Sequence, residues 1–180
     1  FEMPKVTEPA FPELSVSLTD FGGVADGQTL NTTAFSKAIE ELATKGGGRL
    51  TIPRGIWLTG PIVLKSNINL HADQGALILF STDKDLYPMV ESYWEGRSRI
   101  RCQSPISGRG LENIAFTGEG IYDGGGDAWR FVKRYKMTDN QWKKLLSSGG
   151  CTNEKNNLWF PSESYKKGYE QDKKNDLADY

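Results

Sequence analysis

The chain has 180 residues, of which 37% are apolar and 25% are charged, with a formal net charge of -1. This composition is typical of one globular domain with a sizeable core and excludes a disordered chain. The balanced charge argues against a nucleic-acid partner. The sequence has no apolar run near the roughly 20 residues that cross a bilayer, so no membrane span is predicted.

The first predicted elements are an extended arm and a helix. Prolines recur through the first fourteen residues and disfavour helix there, so we expect an extended arm over residues 1–15. Apolar residues between 31 and 46 then form one stripe at helical spacing. Asn31, Thr32 or Thr33 is the expected N-cap of this amphipathic helix, and Gly46 its C-terminal stop.

After Gly46 the pattern changes to short apolar runs separated by turn residues. The runs occupy residues 50–52, 56–58, 62–64, 68–70 and 77–80. Strands so short and closely spaced do not suit a sandwich, but they suit the stacked rungs of a β-solenoid. Because the first rung of a solenoid has open edges, the helix at 31–46 is expected to cover it.

The second half of the sequence is less regular. Residues 83–101 interrupt the rungs with aromatic residues and three arginines, which predicts a long excursion containing a helical turn. Strands are expected to resume at residues 100–106, 113–117 and 120–122.

A second helix is predicted over residues 138–148. Thr138 and Gln141 match a capping box, and Gly149 ends the helix. The residues expected on its buried face are Trp142, Leu145 and Leu146. The polar stretch over residues 152–180 is typical of a long surface insertion or an incompletely ordered tail.

Thiols and metal ligands are sparse. The spacing of Cys102 and Cys151 does not demand a disulfide, so a bridge and two free thiols both stay open. His71, the only histidine, occurs where a predicted strand meets a turn, which indicates a structural role. With no C-x-x-C and no histidine cluster, the sequence predicts no metal site.

Three stretches of sequence carry a family resemblance. They are LTDFGGVADGQTLNTTAFSKAI from Leu18, GGGRLTIPRGIWLTGPIVLKSNINLHADQGALILFSTDKDLYP from Gly46, and NIAFTGEGIYDGGGDAWR from Asn113. Together they resemble the N-terminal part of the family-28 glycoside hydrolases, the polygalacturonases, over residues 16–130. Residues 131–180 resemble an insertion of bacterial members. The resemblance implies an all-β fold, a right-handed parallel β-helix with an N-terminal capping α-helix, of which residues 1–180 form the first part.

The catalytic motifs of that family are missing from this sequence. Inverting hydrolysis uses a carboxylic acid and a carboxylate roughly 6.5–9.5 Å apart. The family carries its carboxylates on an Asn-Thr-Asp and an Asp-Asp motif, followed by Gly-His-Gly and Arg-Ile-Lys. The first three do not occur here, and Arg99-Ile100-Arg101 comes too early to be the fourth. We therefore assign no catalytic residue and expect the catalytic rungs beyond Tyr180, with no cofactor required.

Carboxylates within the matching region are expected to be structural. Asp123 and Asp127 lie in YDGGGD, where aspartate commonly stabilises a turn before glycines. Asp20 and Asp26 flank Gly22 and Gly23 and are likewise expected to form turns. An acid/base pair made of Asp123 and Asp127 is the less favoured alternative.

The excursion is the predicted substrate-binding region. Galacturonate polymers carry a carboxylate on every sugar, and arginine binds carboxylates with two parallel hydrogen bonds. Aromatic rings, Tyr93 among them, suit the apolar face of a sugar. The predicted substrate-binding residues are Trp94, Glu95, Arg97, Arg99 and Arg101. The alternative is a solvated arginine cluster packed on its own aromatic residues. Trp129 is expected inside a rung, with a place lining the same cleft as the less favoured alternative.

The resemblance thus implies a pectin-degrading hydrolase whose partner is a pectic polysaccharide or oligogalacturonide. It also implies a secreted or periplasmic location, although no leader is visible in the sequence. Two other classes stay open. One is a non-catalytic, polysaccharide-binding or structural β-helix of the tailspike kind. The other is a polysaccharide lyase, whose clustered acids for Ca²⁺ are not visible here.

Overall fold

The protein is described by a computed structural model covering residues 2–5 and 7–171, so the end of the predicted tail lies outside the described residues. The chain divides into two compact units. Residues 1–88 and 103–124 form unit 1, and residues 89–102 and 125–180 form unit 2.

Most elements are short strands. In chain order they are β1 (Ser15–Ser17), β2 (Gly48–Ile52), β3 (Gly55–Thr59), β4 (Ile62–Val63), β5 (Ile68–Ala72), β6 (Ala76–Phe80), β7 (Met89–Trp94), β8 (Arg97–Cys102), β9 (Ile106–Ser107), β10 (Ile114–Gly118), β11 (Ile121–Asp123), β12 (Val132–Lys133), β13 (Cys151–Thr152) and β14 (Leu158–Phe160). The α-helices are α1 (Thr32–Thr44), α2 (Asp139–Ser147) and α3 (Glu163–Gln171). Short 3-10 helices occur at Leu18–Phe21, Lys84–Leu86, Gly126–Trp129 and Arg134–Lys136.

Unit 1 is built from three parallel sheets that the chain visits in a repeating order. The first sheet has the order β1-β2-β5-β10, the second β11-β6-β3, and the third pairs β4 with β9. After β2, β3 and β4 the chain returns to the first sheet as β5, and after β9 it returns there as β10. The predicted strands therefore stack as parallel neighbours, although each strand is separated in sequence from its partners.

The register of the first sheet explains the alternating sequence. Leu50 pairs with Leu70, which pairs with Phe116. Leu50 and Leu70 are fully buried, whereas Phe116 on the outermost strand β10 is 46% exposed. Successive strand residues point to opposite sides, so the apolar alternation becomes one inward-facing column.

Helix α1 completes the core of unit 1. Its buried residues are Ala34, Phe35, Ala38, Ile39 and Leu42, and they belong to the same apolar cluster as the inward residues of the strands. The predicted amphipathic helix is confirmed, with bounds slightly inside the expected 31–46. The apolar stripe of α1 packs against β1, which precedes the helix in sequence, and against β2, β4 and β5, which follow it.

The start of α1 differs from the simple cap expected from sequence. Asn31 occupies the N-cap position, but its side chain makes no capping hydrogen bond. Its amide instead donates to the carbonyl oxygens of Thr29 and Leu58, at 2.8 and 3.1 Å. The Thr32 hydroxyl accepts from the Gly60 N–H at 2.7 Å. Both side chains thus join the helix start to strand β3 and the turn after it.

A column of left-handed residues precedes the first-sheet strands. Gly47, Asn67 and Asn113 stand one residue before β2, β5 and β10, with φ values of 117°, 62° and 50°. The Asn113 amide donates to Asn67 Oδ1 at 3.0 Å. A Cβ on Gly47 would lie 2.4 Å from the Asn67 Cβ, so only glycine fits at that level. Asparagine tolerates this backbone region better than most residues, which explains its use at the next two levels.

The turn-forming role predicted for Asp20 and Asp26 is confirmed. The Ser17 N–H donates to Asp20 Oδ2 at 3.0 Å. Asp26 accepts from the N–H groups of Gln28 and Thr29, at 2.8 and 2.7 Å, and from the Thr29 hydroxyl at 2.7 Å. These two carboxylates are occupied by local backbone donors, as the structural interpretation required.

Asp26 gives a prediction for acid stability. Hydrogen bonds from the Thr29 N–H, the Thr29 hydroxyl and the Gln28 N–H lower the pKa of its carboxyl below the ordinary 3.8. A depressed folded-state pKa stabilises the fold above 3.8, and this contribution is lost as the pH falls through the folded value. Thermal melts across acidic pH should therefore show a shallower loss of stability in Asp26→Asn than in the wild type. Parallel pH profiles for the two proteins would contradict the assignment.

Tyr122 gives a prediction for alkaline stability. Its hydroxyl is buried with no hydrogen-bond partner among the described residues, and its ring meets Phe116 edge to face at 5.6 Å. Burial raises the pKa of the phenol from 10.0 to about 12. The fold favours the neutral phenol. The resulting contribution to the free energy of unfolding is present below pH 10 and is lost as the pH rises through about 12.

Replacing Tyr122 with phenylalanine should therefore stabilise unit 1. Removal of an unsatisfied buried hydroxyl should raise the unfolding free energy by up to about 1 kcal/mol at neutral pH, since the ring contacts remain. The alkaline loss of stability should also become smaller. Urea unfolding at neutral and alkaline pH measures both effects, and a destabilised Tyr122→Phe variant would reveal a hydrogen bond to the hydroxyl.

Unit 2 has different architecture. Strands β12, β14 and β13 form an antiparallel sheet in that order, and β7 pairs antiparallel with β8. The strand predicted over residues 100–106 is two strands in the structure. Arg97–Cys102 belongs to the antiparallel β7–β8 hairpin, and parallel pairing resumes only at Ile106. The stretch expected as an insertion or tail contains β13, β14 and α3 within the described residues.

The second helix follows the sequence closely. Thr138 and Gln141 form the predicted capping box at the start of α2, and Trp142 is 3% exposed. Leu145 is half-buried, but Leu146 is exposed, so the buried face is narrower than predicted. Trp142 packs under the Arg134 guanidinium, which lies 5.5 Å from its ring centre.

Candidate functional site

The excursion predicted to bind substrate is a regular hairpin. Strands β7 and β8 pair without a bulge from Met89–Cys102 to Trp94–Arg97. Glu95 and Gly96 form the two-residue connection, with φ values of 50° and 77°. Two positive φ values match the type I′ turn, whose twist suits a two-stranded hairpin.

The hairpin register places Arg97 and Arg101 on one face of β8. Positions 97, 99 and 101 alternate along β8, so they share a face and lie about 6.6–6.8 Å apart in succession. Arg97 and Arg101 are exposed, as is Glu95 at the turn. The side chains of Trp94 and Arg99 lie outside the described part of the structure.

The base of the hairpin lies beside α3. The Tyr165 hydroxyl on that helix donates to the Trp129 carbonyl oxygen at 2.9 Å. Burial raises the pKa of the Tyr165 phenol, whereas the positive charge of Arg101 acts in the opposite direction. The positive charge of Arg101 therefore acts on the Tyr165 phenol, but burial outweighs it.

Aromatic rings form the interior of unit 2 around this point. The ring centre of Tyr169 lies 4.9 Å from that of Phe131 and 5.3 Å from that of Phe160. The ring centres of Phe160 and Tyr165 are 6.1 Å apart, and all three pairs are tilted. Phe160 is 1% exposed. Trp129, expected inside a rung, belongs instead to unit 2 and is half-buried. The rings of Phe131, Phe160, Tyr165 and Tyr169 therefore form one aromatic cluster.

The remaining candidates for chemistry lie on separate elements. Asp123 ends β11 in unit 1, and Asp127 lies in the 3-10 helix of unit 2. Neither Cys102 nor Cys151 is in a disulfide bond, and burial is the main factor that raises the pKa of Cys151. Across residues 2–5 and 7–171, the structure has no group of three or more His, Cys, Asp or Glu residues placed to hold a metal ion.

His71 has a structural setting. Its Nδ1 lies 2.7 Å from the Thr117 hydroxyl on the neighbouring strand β10. That hydroxyl donates to Asn69 Oδ1 at 2.8 Å, so it accepts the proton of His71 Nδ1. Asp73 Oδ1 lies 3.5 Å from Nε2. The imidazole therefore joins adjacent strands of the first sheet.

One segment of unit 2 was missed by the sequence reasoning. Residues 133–136 read Lys-Arg-Tyr-Lys, and Tyr135 is 78% exposed. Three cations around an aromatic residue were visible in the sequence. The sequence offered no reason to assign them a binding role, because charged runs of this length usually face solvent.

Comparison with known proteins relates this fold to sugar-cleaving enzymes. The chain is 43% identical over 124 residues to a probable polygalacturonase of Vitis vinifera, covering 64% of this chain and 25% of the relative. It is 34% identical over 128 residues to an exo-poly-alpha-D-galacturonosidase of Dickeya chrysanthemi, covering 67% of this chain and 21% of the relative. No protein-family model matches the chain.

A solved structure extends the similarity through unit 2. The hyperthermoactive exopolygalacturonase from Thermotoga maritima matches with a TM-score of 0.66 and 34% sequence identity, over 97% of this chain and 36% of that one. The chain spans about a quarter of the length of the curated relatives it matches. By fold it is a protein of mostly parallel sheets with few helices. In sequence and in fold, it is similar to one part of the family-28 glycoside hydrolases.

No helix within the described residues combines the length and the apolar character needed to cross a membrane.

Proposed function

We propose that the chain is the front part of a pectin-degrading glycoside hydrolase that acts on galacturonan-type polysaccharide. In this proposal unit 1 is the beginning of a right-handed parallel β-helix, and α1 caps its first rung. The observation that carries the proposal is the Thermotoga maritima match, because it extends over 97% of this chain and includes both units. The whole protein would act outside the cytoplasm, in a secreted or periplasmic location, where pectic polymers are found.

The repeating order of the sheets supports the solenoid assignment. Each return of the chain to the first sheet adds one parallel strand, and the Asn67–Asn113 hydrogen bond links successive levels at the same turn. The buried face of α1 contributes to the core beside β1 and β2, and in this proposal it covers strand edges that would otherwise be open. Natural proteins commonly cover such edges.

Hydrolysis itself is proposed for residues that follow Tyr180. Two aspartate carboxylates on later rungs would supply the acid and the base for inversion. Sequencing the coding DNA beyond the Tyr180 codon tests this step. Asn-Thr-Asp, Asp-Asp and Gly-His-Gly in that order would support it. A stop codon, or further rungs without these carboxylates, would favour the non-catalytic binding or structural alternative.

The full-length product provides a second test of the reaction. Proton NMR of polygalacturonate digestion should show the β-anomer of the new reducing end first, since inversion at an α-linked sugar reverses the anomeric configuration. Initial release of the α-anomer would contradict the inverting mechanism. Activity that disappears with a chelator and yields unsaturated sugars would indicate a lyase.

Within this chain, the proposed substrate contacts lie on the hairpin. Arg97 and Arg101 are exposed on one strand face, and their guanidinium groups suit the carboxylates of successive or alternate galacturonate units. The proposal also includes Trp94 and Arg99, from their positions on the same hairpin, and Glu95 as an acceptor for sugar hydroxyl groups. The regular pairing of β7 with β8 would reduce the ordering cost of binding.

Neutralising the hairpin gives the corresponding prediction. Arg97→Gln with Arg101→Gln should weaken binding of a defined oligogalacturonate to the purified chain by about tenfold, as expected for loss of two exposed ion pairs. Isothermal titration calorimetry measures the dissociation constant. Lys143→Gln with Lys144→Gln removes the same charge from exposed positions on α2 and should change it less than about twofold. An equal loss of affinity in both double variants would mean that binding depends on net charge and not on the hairpin arginines.

A further inference from the structure

The near-neutral charge of the chain hides a separation between its two units. Unit 1 contains 8 Lys and Arg residues against 13 Asp and Glu, a net charge of −5. Unit 2 contains 14 against 10, a net charge of +4. A positive unit attracts polyanions and repels other cations, and the excess of cations in unit 2 is larger than the three arginines of its hairpin.

A second cationic surface lies in unit 2 around Tyr135. The segment Lys133–Lys136 runs from the end of β12 through a 3-10 turn, and it has three cations in four residues. The Tyr135 side chain is 78% exposed, and Lys136 beside it is also exposed. A large ring left in solvent between cations combines an apolar face with positive charge. A uronic acid has a complementary apolar sugar face and a negatively charged carboxylate.

The turn that presents Tyr135 is held on both sides. The Arg134 N–H donates to the Asn157 carbonyl oxygen at 2.9 Å, and the Met137 N–H donates to the Arg134 carbonyl oxygen at 3.1 Å. The Arg134 guanidinium also bonds Asp139 Oδ1 at 2.6 Å while it covers the Trp142 ring. Arg134 is therefore a structural anchor, and it fixes the backbone from which its neighbours project.

Lys133 is also oriented by its surroundings. Its backbone pairs with Leu158 in the antiparallel sheet, and its Nζ lies 5.7 Å from the centre of the Phe131 ring. Lys133 is half-buried, so its side chain is oriented by the sheet while part of it still reaches solvent. Charged groups on a fixed backbone lose less conformational entropy on binding than those on a mobile loop.

We infer that Lys133, Tyr135 and Lys136 form a second contact surface for a carboxylate-bearing polysaccharide, separate in sequence from the hairpin. The lysines bind uronate carboxylates, and the Tyr135 ring lies against the apolar face of a sugar. This inference rests on the proposed function, because it takes the same galacturonate polymer as its ligand. It adds a site that holds substrate without taking part in the chemistry.

The test compares charge-matched variants of the purified chain. A defined oligogalacturonate is titrated into Lys133→Gln with Lys136→Gln, and into Lys143→Gln with Lys144→Gln, which removes equal charge from α2. The first pair should weaken binding about tenfold and the second less than about twofold. Tyr135→Ala should weaken binding about fivefold without changing net charge. Because Lys133 is half-buried, Tyr135→Ala with Lys136→Gln provides a variant confined to exposed side chains.

Three results would overturn the inference, and they separate it from the proposed function. Wild-type binding with unchanged affinity in the Lys133, Tyr135 and Lys136 variants would remove this surface but leave the hairpin and the proposed function standing. Equal weakening by the Lys133/Lys136 and Lys143/Lys144 pairs, with dextran sulfate bound as well as oligogalacturonate, would show general polyanion attraction only. Absence of oligogalacturonate binding by the wild-type chain would refute the surface and the hairpin together.

Discussion

Replacing Trp57 with alanine is expected to lower the free energy of unfolding by about 3–5 kcal/mol. Trp57 lies in β3 and is 1% exposed. Its indole N–H donates to the Pro53 carbonyl oxygen at 2.7 Å. The ring also packs so closely on Gly23 that a Cβ there would lie 3.0 Å from it. The substitution therefore leaves a cavity and deprives a carbonyl oxygen of its donor.

Ile56 provides the control for this prediction. It precedes Trp57 on the same strand, but it points to the other side and is 44% exposed. Ile56→Ala should cost less than about 1 kcal/mol. Urea unfolding followed by intrinsic fluorescence, with circular dichroism for the variant that lacks Trp57, measures both values. Similar losses for the two variants would mean that Trp57 does not occupy the core of unit 1.

The second large effect is expected at Asn31, a buried polar residue. Asn31→Ala should destabilise the fold by about 3 kcal/mol, since several buried backbone groups lose their partner at once. Asn31 Oδ1 accepts from the Val24 N–H at 2.7 Å. Its amide donates to the carbonyl oxygens of Val24, Thr29 and Leu58 at 2.9, 2.8 and 3.1 Å. One side chain therefore holds a loop, the start of α1 and strand β3 together.

An exposed asparagine separates this effect from a general cost of losing the amide. Asn140 lies on the surface of α2, and Asn140→Ala should change stability by less than about 0.5 kcal/mol. Asn31→Asp retains an acceptor for the Val24 N–H but loses the amide donors, and it should be almost as damaging as alanine. Thermal and urea unfolding of the three variants decide the point. A mild Asn31→Ala variant would show that water replaces the missing donors.

Local patterns were sufficient where an element depends on residues near it in sequence. The stripe of α1 and the capping box of α2 both involve residues three or four apart, and both appear in the structure as predicted. Short apolar runs indicated the strands of unit 1, and turn chemistry indicated the roles of Asp20 and Asp26. These features follow from helix and turn geometry alone.

Unit 2 was harder to predict because its elements depend on partners distant in sequence. Each outer strand of its three-stranded sheet has only two residues, and its central strand Leu158–Phe160 pairs with Val132–Lys133 and with Cys151–Thr152. Such strands carry no periodicity of their own. The sequence predicted the hairpin only as an excursion rich in aromatic residues and arginine. Its two strands were not predicted, although Glu95-Gly96 is a turn sequence. Its regular pairing and the common face of its arginines emerged from the register.

The amino-acid sequence by itself determined the alternation of inward and outward residues, the amphipathic helix and the similarity to polygalacturonases. Tertiary structure alone decided which strands are neighbours and what each polar side chain contacts. Asn31 illustrates the difference, since sequence predicted a helix cap and the structure uses its amide to bond Leu58, 27 residues away. Likewise, His71 meets Thr117 across 46 residues. Hydrogen bonds at such separations exist only after elements distant in sequence have packed together, so no local pattern encodes them.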